Sequence, residues 1–350
     1  MNESRSRYSR RDILRASLAL GAVTLASGAP VRYASALGSP LTAASVIRPA
    51  ALLSSGGVLF GGWQPGAPGA AWALDAFEAT LGQRPGIVHW YQGWGAGNKS
   101  LDLSLLDAAV GRGALPMITW EPWDYTQGVN QPEFSLKRIR QGAFDAYIKS
   151  WAIGLRTYGR PVLLRFAHEM NGDWYPWSVK ANGNTAPDFV GAWRRVVTIF
   201  RRAGADNVAF VWCPNALGDW SAPLASCFPG DSYVDVVGID GYNAGTSVNW
   251  GGWRSFEDVF GATYDAIAAM STRPFIIGET GCSEAGGDKS VWVTDMFAGR
   301  ERRFPRVGGI SWFNEAREAD WRIESSAASL AVFRAALTNT AYGINSAPLA

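Results

Sequence analysis

The feature that most constrains this chain is an alternation. From about residue 55 onward, short apolar runs ending in Gly, Trp, Asn or Glu are each followed by a longer stretch with helical periodicity. The apolar runs predict strands at 57–62, 86–91, 115–120, 162–166, 208–213, 234–239, 275–278 and 309–313. Helices are predicted near 70–81, 104–112, 142–158, 187–203, 223–228, 256–270, 289–303 and 325–338. The segment 187–203 is the clearest, with Phe189, Val190, Trp193, Val196, Val197 and Phe200 on one face and Pro187-Asp188 at its start. Eight strand–helix pairs within one stretch of this size are what a single α/β domain of the (β/α)8 barrel type requires. A doubly wound sheet would open with a Gly-rich phosphate turn leading into a helix, and Gly61-Gly62-Trp63-Gln64-Pro65 does not do so. The barrel domain is expected over residues 55–340, with no repeat and no second domain.

The first 36 residues read as a targeting segment. Ser9-Arg10-Arg11-Asp12-Ile13-Leu14 has a twin-arginine pattern, a mildly apolar stretch runs from Leu14 to Ala29, and Ala34-Ser35-Ala36 offers a small-x-small cleavage site. Residues 37–54, rich in Ala, Ser and Leu, read as a linker. The expectation is export through the twin-arginine translocase, to the periplasm or outside the cell. Six arginines lie in the leader against Glu3 and Asp12. The remainder therefore holds 26 basic and 28 acidic side chains, where the whole chain has 32 and 30. The basic excess belongs to the leader, which argues against nucleic acid as a partner. No later segment is long and apolar enough for a membrane helix. The mature chain is expected to act off the membrane as a monomer. Its three cysteines, Cys213, Cys227 and Cys282, cannot all pair, and a Cys213–Cys227 bridge is left open.

Barrel enzymes place their chemistry at the C-terminal ends of the strands. Those ends hold the oddest composition in this chain: Trp63, His89-Trp90-Tyr91-Gln92-Gly93-Trp94, Trp120-Glu121-Pro122-Trp123, His168-Glu169-Met170-Asn171-Gly172, Trp212-Cys213-Pro214-Asn215, Asp240-Gly241-Tyr242-Asn243, Glu279-Thr280-Gly281 and Trp312-Phe313-Asn314-Glu315. Indole faces stack on the C–H faces of pyranoses, and the chain has 17 tryptophans. An aromatic, acidic, amide-lined mouth fits a neutral polysaccharide. Glycoside hydrolysis needs two carboxyl groups, one protonated and one ionised, in environments that push their pKa values apart. Glu169 after strand four and Glu279 on strand seven sit at strand ends three places apart, where they can face each other.

Other chemistries fit less well. His168-Glu169 is not followed by a second histidine at helical spacing, and two histidines in the whole chain leave no His-rich metal site. There is no Gly-x-Ser-x-Gly elbow and no P-loop. No cofactor or metal is expected.

The run Arg165-Phe166-Ala167-His168-Glu169-Met170-Asn171-Gly172-Asp173-Trp174-Tyr175-Pro176-Trp177 resembles the acid/base signature of glycoside hydrolase family 26, the β-mannanase family. Ile276-Ile277-Gly278-Glu279-Thr280-Gly281 resembles that family's nucleophile strand. The resemblance implies a retaining mechanism with Glu169 as acid/base and Glu279 as nucleophile. It places His168 near the reacting sugar, Trp174 beside the acid/base on the leaving-group side, and Tyr242 on Glu279 through its hydroxyl. It makes Trp312 the stacking platform under the reacting sugar. Arg165 is expected to point into the barrel and fix a carboxylate. His89, Trp94, Trp120, Glu121 and Trp123 are candidates for outer subsites. The implied substrate is β-1,4-mannan, with mixed-linkage β-glucan and β-1,3-xylan as alternatives. From a different class, a non-catalytic carbohydrate-binding barrel predicts loss of one glutamate, and both are present.

Overall fold

The computed structural model describes residues 48–342, apart from 55, 96–99, 250, 340 and 341. The twin-arginine leader lies outside the described residues. Eight parallel strands close into a barrel in sequence order: β1 (Leu59–Trp63), β2 (Ile87–Gly93), β3 (Leu115–Glu121), β4 (Val162–Phe166), β5 (Val208–Trp212), β6 (Val236–Asn243), β7 (Phe275–Cys282) and β8 (Val307–Phe313), with β8 pairing back onto β1. A helix follows each strand, so both faces of the sheet are covered, which is why the strands read as near-continuous apolar runs.

Helix ends follow the sequence. Thr185 caps the helix Ala186–Ala203 by accepting from the Asp188 amide, and Gly204 closes it in the left-handed region. Phe189, Ala192, Trp193, Val196, Val197 and Phe200 are buried along its inner face. Ser255 and Asp258 form a reciprocal capping box on the helix Phe256–Ala268.

Strand periodicity sorts the side chains into two cores. Leu115, Met117, Leu163, Ala209, Val211, Val236 and Ile276 point inward and fill the barrel floor. Ile118, Trp120, Phe166, Trp212, Ile310 and Trp312 point outward into the layer beneath the helices. The C-terminal part of the expected linker 37–54 is folded. Pro49–Leu52 form a helical turn, and buried Leu53 packs into the barrel floor, so these residues plug its lower end.

Strands β6 and β7 run four residues beyond the predicted ends. Asp240 pairs with Glu279, Gly241 with Thr280, Tyr242 with Gly281 and Asn243 with Cys282, after a register shift at Ile239/Asp240. Gly-Tyr-Asn and Glu-Thr-Gly look like loop residues by composition, yet they stay paired and carry the sheet up into the mouth. The three cysteines are buried free thiols, and no Cys213–Cys227 bridge forms. No described helix is long and apolar enough to cross a membrane.

Candidate active site

The site rises in layers from the apolar floor. Immediately above it lies a buried polar tier built around Arg165 on β4. Its Nε donates to Thr119 Oγ1 at 2.8 Å, its Nη1 to Asp240 Oδ2 at 2.5 Å, and its Nη2 to Glu279 Oε1. The expected carboxylate contact is therefore a bridge between two carboxylates. Gly278 makes room for it: a Cβ there would come within 2.6 Å of both Asp240 Oδ1 and Cys213 Sγ. The Cys213 thiol donates to Asp240 Oδ1 at 3.1 Å, and burial, then Asp240, push its pKa well up.

Glu279 is held by three donors. Tyr91 Oη donates to Oε1 at 2.7 Å, alongside Arg165, and Tyr242 Oη donates to Oε2 at 2.7 Å. Burial by itself would raise this carboxyl's pKa. The charges of Arg165 and His168 outweigh it and hold the group well below the usual carboxylate range. Burial, then the Glu279 charge, pushes both tyrosines well up, so they remain protonated donors.

Glu169 sits in a different setting. Ala167 and Glu169 both take left-handed backbone conformations, with φ of 47° and 52°, a strained local path that tertiary contacts must hold. The Glu169 amide donates to Cys213 O at 2.8 Å, and Trp177 Nε1 donates to His168 O at 2.5 Å, fixing the turn. The Glu169 carboxyl then accepts from Trp174 Nε1 at 2.6 Å on Oε2 and from Asn215 Nδ2 on Oε1. Gly172 is required here because the Trp174 ring folds over it, and a Cβ would lie 2.5 Å from that ring. Asn171 and Asn215 exchange side-chain and backbone hydrogen bonds at 2.9 Å, which sets the amide against Glu169.

The two histidines lie beneath the mouth, both fully buried. His89 contacts Thr119 Oγ1 at 2.7 Å, Ser311 Oγ at 3.2 Å and Arg165 Nη2 at 3.3 Å. Burial and the Arg165 charge hold its pKa well below 6.5, so it is neutral. His168 contacts Asp240 Oδ2 through Nδ1 at 3.1 Å. Its Nε2 lies 3.4 Å from Glu121 Oε1, an ion-pair distance without hydrogen-bond alignment. Burial and Arg165 press its pKa down, but Asp240, Glu121 and Glu279 prevail and push it up to about 9. Glu121, expected at an outer subsite, is instead buried beside this imidazole. Trp123, also expected there, is buried with Nε1 3.3 Å from Glu121 Oε2.

Three aromatic assignments are corrected. Trp312 points outward, fully buried, with its N–H on Trp321 O at 2.7 Å and its ring 4.7 Å from that of Phe333. It cannot lie under a sugar in the mouth. Trp120 also points outward, against Trp151 and Phe200, because its neighbours Thr119 and Glu121 point in. Trp94 is buried against Trp120 and Phe166. The aromatic wall at the mouth is made instead by partly exposed Trp63, stacked on Phe313 and edge-on to Tyr91, with Nε1 on Glu315 Oε2 at 2.9 Å.

Tyr91, Asp240 and Asn215 also line the site, beyond the residues that the motifs single out. Period-two alternation would have found Tyr91: His89 points inward on β2, so the residue two places on does too.

Comparison with known proteins agrees with this architecture. Residues 116–283, which include both glutamates, match the profile of glycosyl hydrolase family 26. The chain is 38% identical over 291 residues to endoglucanase H of Acetivibrio thermocellus, which covers 80% of this chain and 30% of that protein. It is 26% identical over 170 residues to mannan endo-1,4-β-mannosidase of Bacillus subtilis, covering 46% of this chain and 41% of that one. The chain thus spans well under two thirds of the length of either relative. The catalytic domain of an endo-β-1,4-mannanase from Bacillus sp. JAMB-750 superposes with a TM-score of 0.64 at 18% identity, covering 86% of this chain and 91% of that one. The barrel, the paired glutamates and these matches together show that the chain belongs to glycosyl hydrolase family 26.

Proposed function

We propose that this chain is an exported, endo-acting retaining glycoside hydrolase that cleaves a β-linked polysaccharide. The observation that carries the reading is a contrast between two carboxyl groups at one mouth. Glu279 is held ionised by hydrogen bonding to a buried cation, while the hydrogen bonds to Glu169 from Trp174 and Asn215 come from neutral N–H donors, with His168 and Asp240 within 4.8 Å of its carboxylate. In the first step the Glu279 carboxylate attacks the anomeric carbon, and the proton on Glu169 passes to the departing glycosidic oxygen as that bond breaks. Oε1 already receives two donors and Oε2 receives one among the described residues, so Oε2 is the better placed to attack. In the second step Glu169 takes a proton from water, the water oxygen bonds to the anomeric carbon, and Glu279 leaves as the carboxylate.

The first substrate reading is β-1,4-mannan, supported by the relative of that activity and by the likeness in fold to a mannanase. A second reading, a β-glucan, is favoured by one observation: the match to the protein named endoglucanase is longer and more identical than the match to the mannosidase. Reducing-sugar release by purified residues 37–350 from β-1,4-mannan, mixed-linkage β-glucan and β-1,3-xylan separates these. NMR of the first product should show the retained anomer, and an inverted anomer would remove the double-displacement mechanism. No release from any of the three would favour a binding barrel. Export rests on the leader alone: replacing Arg10 and Arg11 together by Lys should leave unprocessed protein in the cytoplasm, and normal secretion of that variant would reject it.

A further inference from the structure

Trp220 stands on the loop between β5 and the helix Leu224–Cys227, and it is 42% exposed. A large apolar ring left half in water forgoes burial worth about 25 cal/mol for each Å². The loop beneath it is pinned. Ser221 N donates to Gly218 O at 2.9 Å, Gly218 N to Ser221 Oγ at 3.0 Å, and Ala222 N to Asn171 O at 2.8 Å. Lys180 Nζ donates to Trp220 O at 2.5 Å. Asn171 and Lys180 belong to the segment after β4 that carries Glu169, so the Trp220 loop and the Glu169 turn are one tied unit. The Trp220 ring meets Trp174 at 4.8 Å between centroids, with 62° between the ring planes. Trp174 in turn gives its N–H to Glu169.

We propose that Trp220 is a sugar platform on the leaving-group side of the cleft, one sugar further from the cleaved bond than the unit seated against Trp174. The inference rests on the hydrolase reading above. The acid must protonate the glycosidic oxygen that departs with the leaving portion, so the wall around Glu169 is the leaving-group wall. Trp174 bonds to Glu169 and is nearly buried, so it can offer surface only to the first leaving unit. Trp220 extends the same wall outward, exposes its ring, and has a held backbone. The two indoles meet at an angle rather than flat, which suits a chain whose successive sugars present differently tilted faces. An indole held rigid before binding loses little freedom on contact with a pyranose. Contact with the leaving portion matters most when that portion is a sugar, because a poor leaving group depends on binding energy supplied away from the reacting bond.

The test compares Trp220→Ala with the parent on two kinds of substrate. One is whichever of the three polysaccharides above the parent cleaves, or its hexasaccharide. The other is an aryl β-glycoside of the matching disaccharide, whose leaving portion is only an activated phenol. A platform predicts that kcat/KM on the polysaccharide falls about three- to tenfold, while the aryl glycoside changes less than twofold. Transfer to added oligosaccharide acceptors should fall with it, and Trp220→Tyr should recover most of the loss. An equal loss on both substrates would show that the ring acts through Trp174 and Glu169, and would overturn the proposal. So would an unchanged variant. If the parent cleaves no β-linked polysaccharide, the hydrolase reading fails instead, and that is seen before any variant is made.

Discussion

The ends of β4 and β7 present the same carboxyl group in surroundings that differ in kind. Around Glu279 the neighbours are a fully buried guanidinium and two phenols on paired, extended backbone. The hydrogen bonds to Glu169 from Trp174 and Asn215 come instead from an indole N–H and an amide N–H on a left-handed turn, with His168 and Asp240 within 4.8 Å. A buried cation stabilises only the ionised form, whereas neutral donors can hydrogen-bond to a carboxyl in either protonation state. In the proposed mechanism the acid/base must cycle between states while the nucleophile must stay ionised, and these surroundings suit Glu169 to the first role and Glu279 to the second. The extended strand gives Glu279 one position. The turn built on Gly172 and Asn171 gives Glu169 partners drawn from outside the barrel lumen.

The largest expected effects break this contrast outright. Glu279→Ala should remove turnover on every substrate, since no glycosyl-enzyme can form. Glu169→Ala should cost about 10²–10⁴-fold on polysaccharide but much less in the first step with an activated aryl glycoside, where the covalent intermediate should accumulate. Added azide should then restore turnover with retained configuration. An inverted azide product from Glu169→Ala would mean that the two roles are exchanged.

Next come the donors on Glu279. Tyr242 is the donor to Oε2, whereas Tyr91 shares Oε1 with Arg165. Tyr242→Phe should therefore lower kcat by about 10²-fold, in the range for loss of one preorganised donor, and Tyr91→Phe by only about tenfold. Equal effects in steady-state kinetics would show that the two oxygens are not distinguished in this way. Arg165→Met should cost more in stability, roughly 3–5 kcal/mol, because Asp240 and Glu279 would be left buried without their cation.

The barrel was legible because strand and helix periods differ and eight pairs repeat. Glu169 and Glu279 were legible because each ends a strand-length apolar run inside an aromatic-rich motif. Side-chain direction was the weak point. Trp120 and Glu121 are adjacent on a strand, so they cannot share a face, and the lumen takes Glu121. Trp312 lies between Ser311 and Phe313, both of which point inward: Ser311 reaches His89, and Phe313 joins the Trp63 wall. The partner set of Arg165 was not legible at all, because its contacts come from four strands that only closure of the barrel brings together.

A smaller effect sharpens the distinction between the two tryptophan layers. Trp312→Ala should lower stability by about 3–5 kcal/mol, as for a large buried ring, while kcat of the folded protein stays within a few-fold. Trp63→Ala, at the mouth and partly exposed, should do the reverse, with a small change in melting temperature and about a tenfold loss in kcat/KM. Thermal unfolding and kinetics on the same preparations read both quantities. A pair of variants that behaved alike would mean that the outer aromatic layer and the mouth are mechanically coupled.

The subtlest contrast is between the two histidines, which lie a few ångströms from the same guanidinium and titrate in opposite directions. Burial and Arg165 hold His89 neutral, with a folded pKa below its unfolded value near 6.5. Its contribution to stability is fully present above pH 6.5 and is lost as the pH falls and the buried ring must charge. His168 has a folded pKa of about 9. Its contribution is fully present below pH 6.5 and is lost as the pH rises through 9. At about 1.4 kcal/mol for each unit of pKa, His168 contributes on the order of 3 kcal/mol. Glu279, lowered from 4.5, adds to the acid side only below that value. Lys289, lowered from 10.5 to about 8, acts oppositely to His168: stability from its neutral form is present above 10.5 and lost as the pH falls through 8. Denaturant unfolding across pH 5–9 should therefore show a maximum near 6.5. His89→Gln should flatten the slope between 5 and 6.5, and His168→Gln the slope between 6.5 and 8, before Lys289 begins to offset it. If the alkaline slope survives in His168→Gln, the imidazole is not carrying the charge that Asp240 and Glu121 favour. The cation facing Asp240 beside Glu279 would then be Arg165 alone.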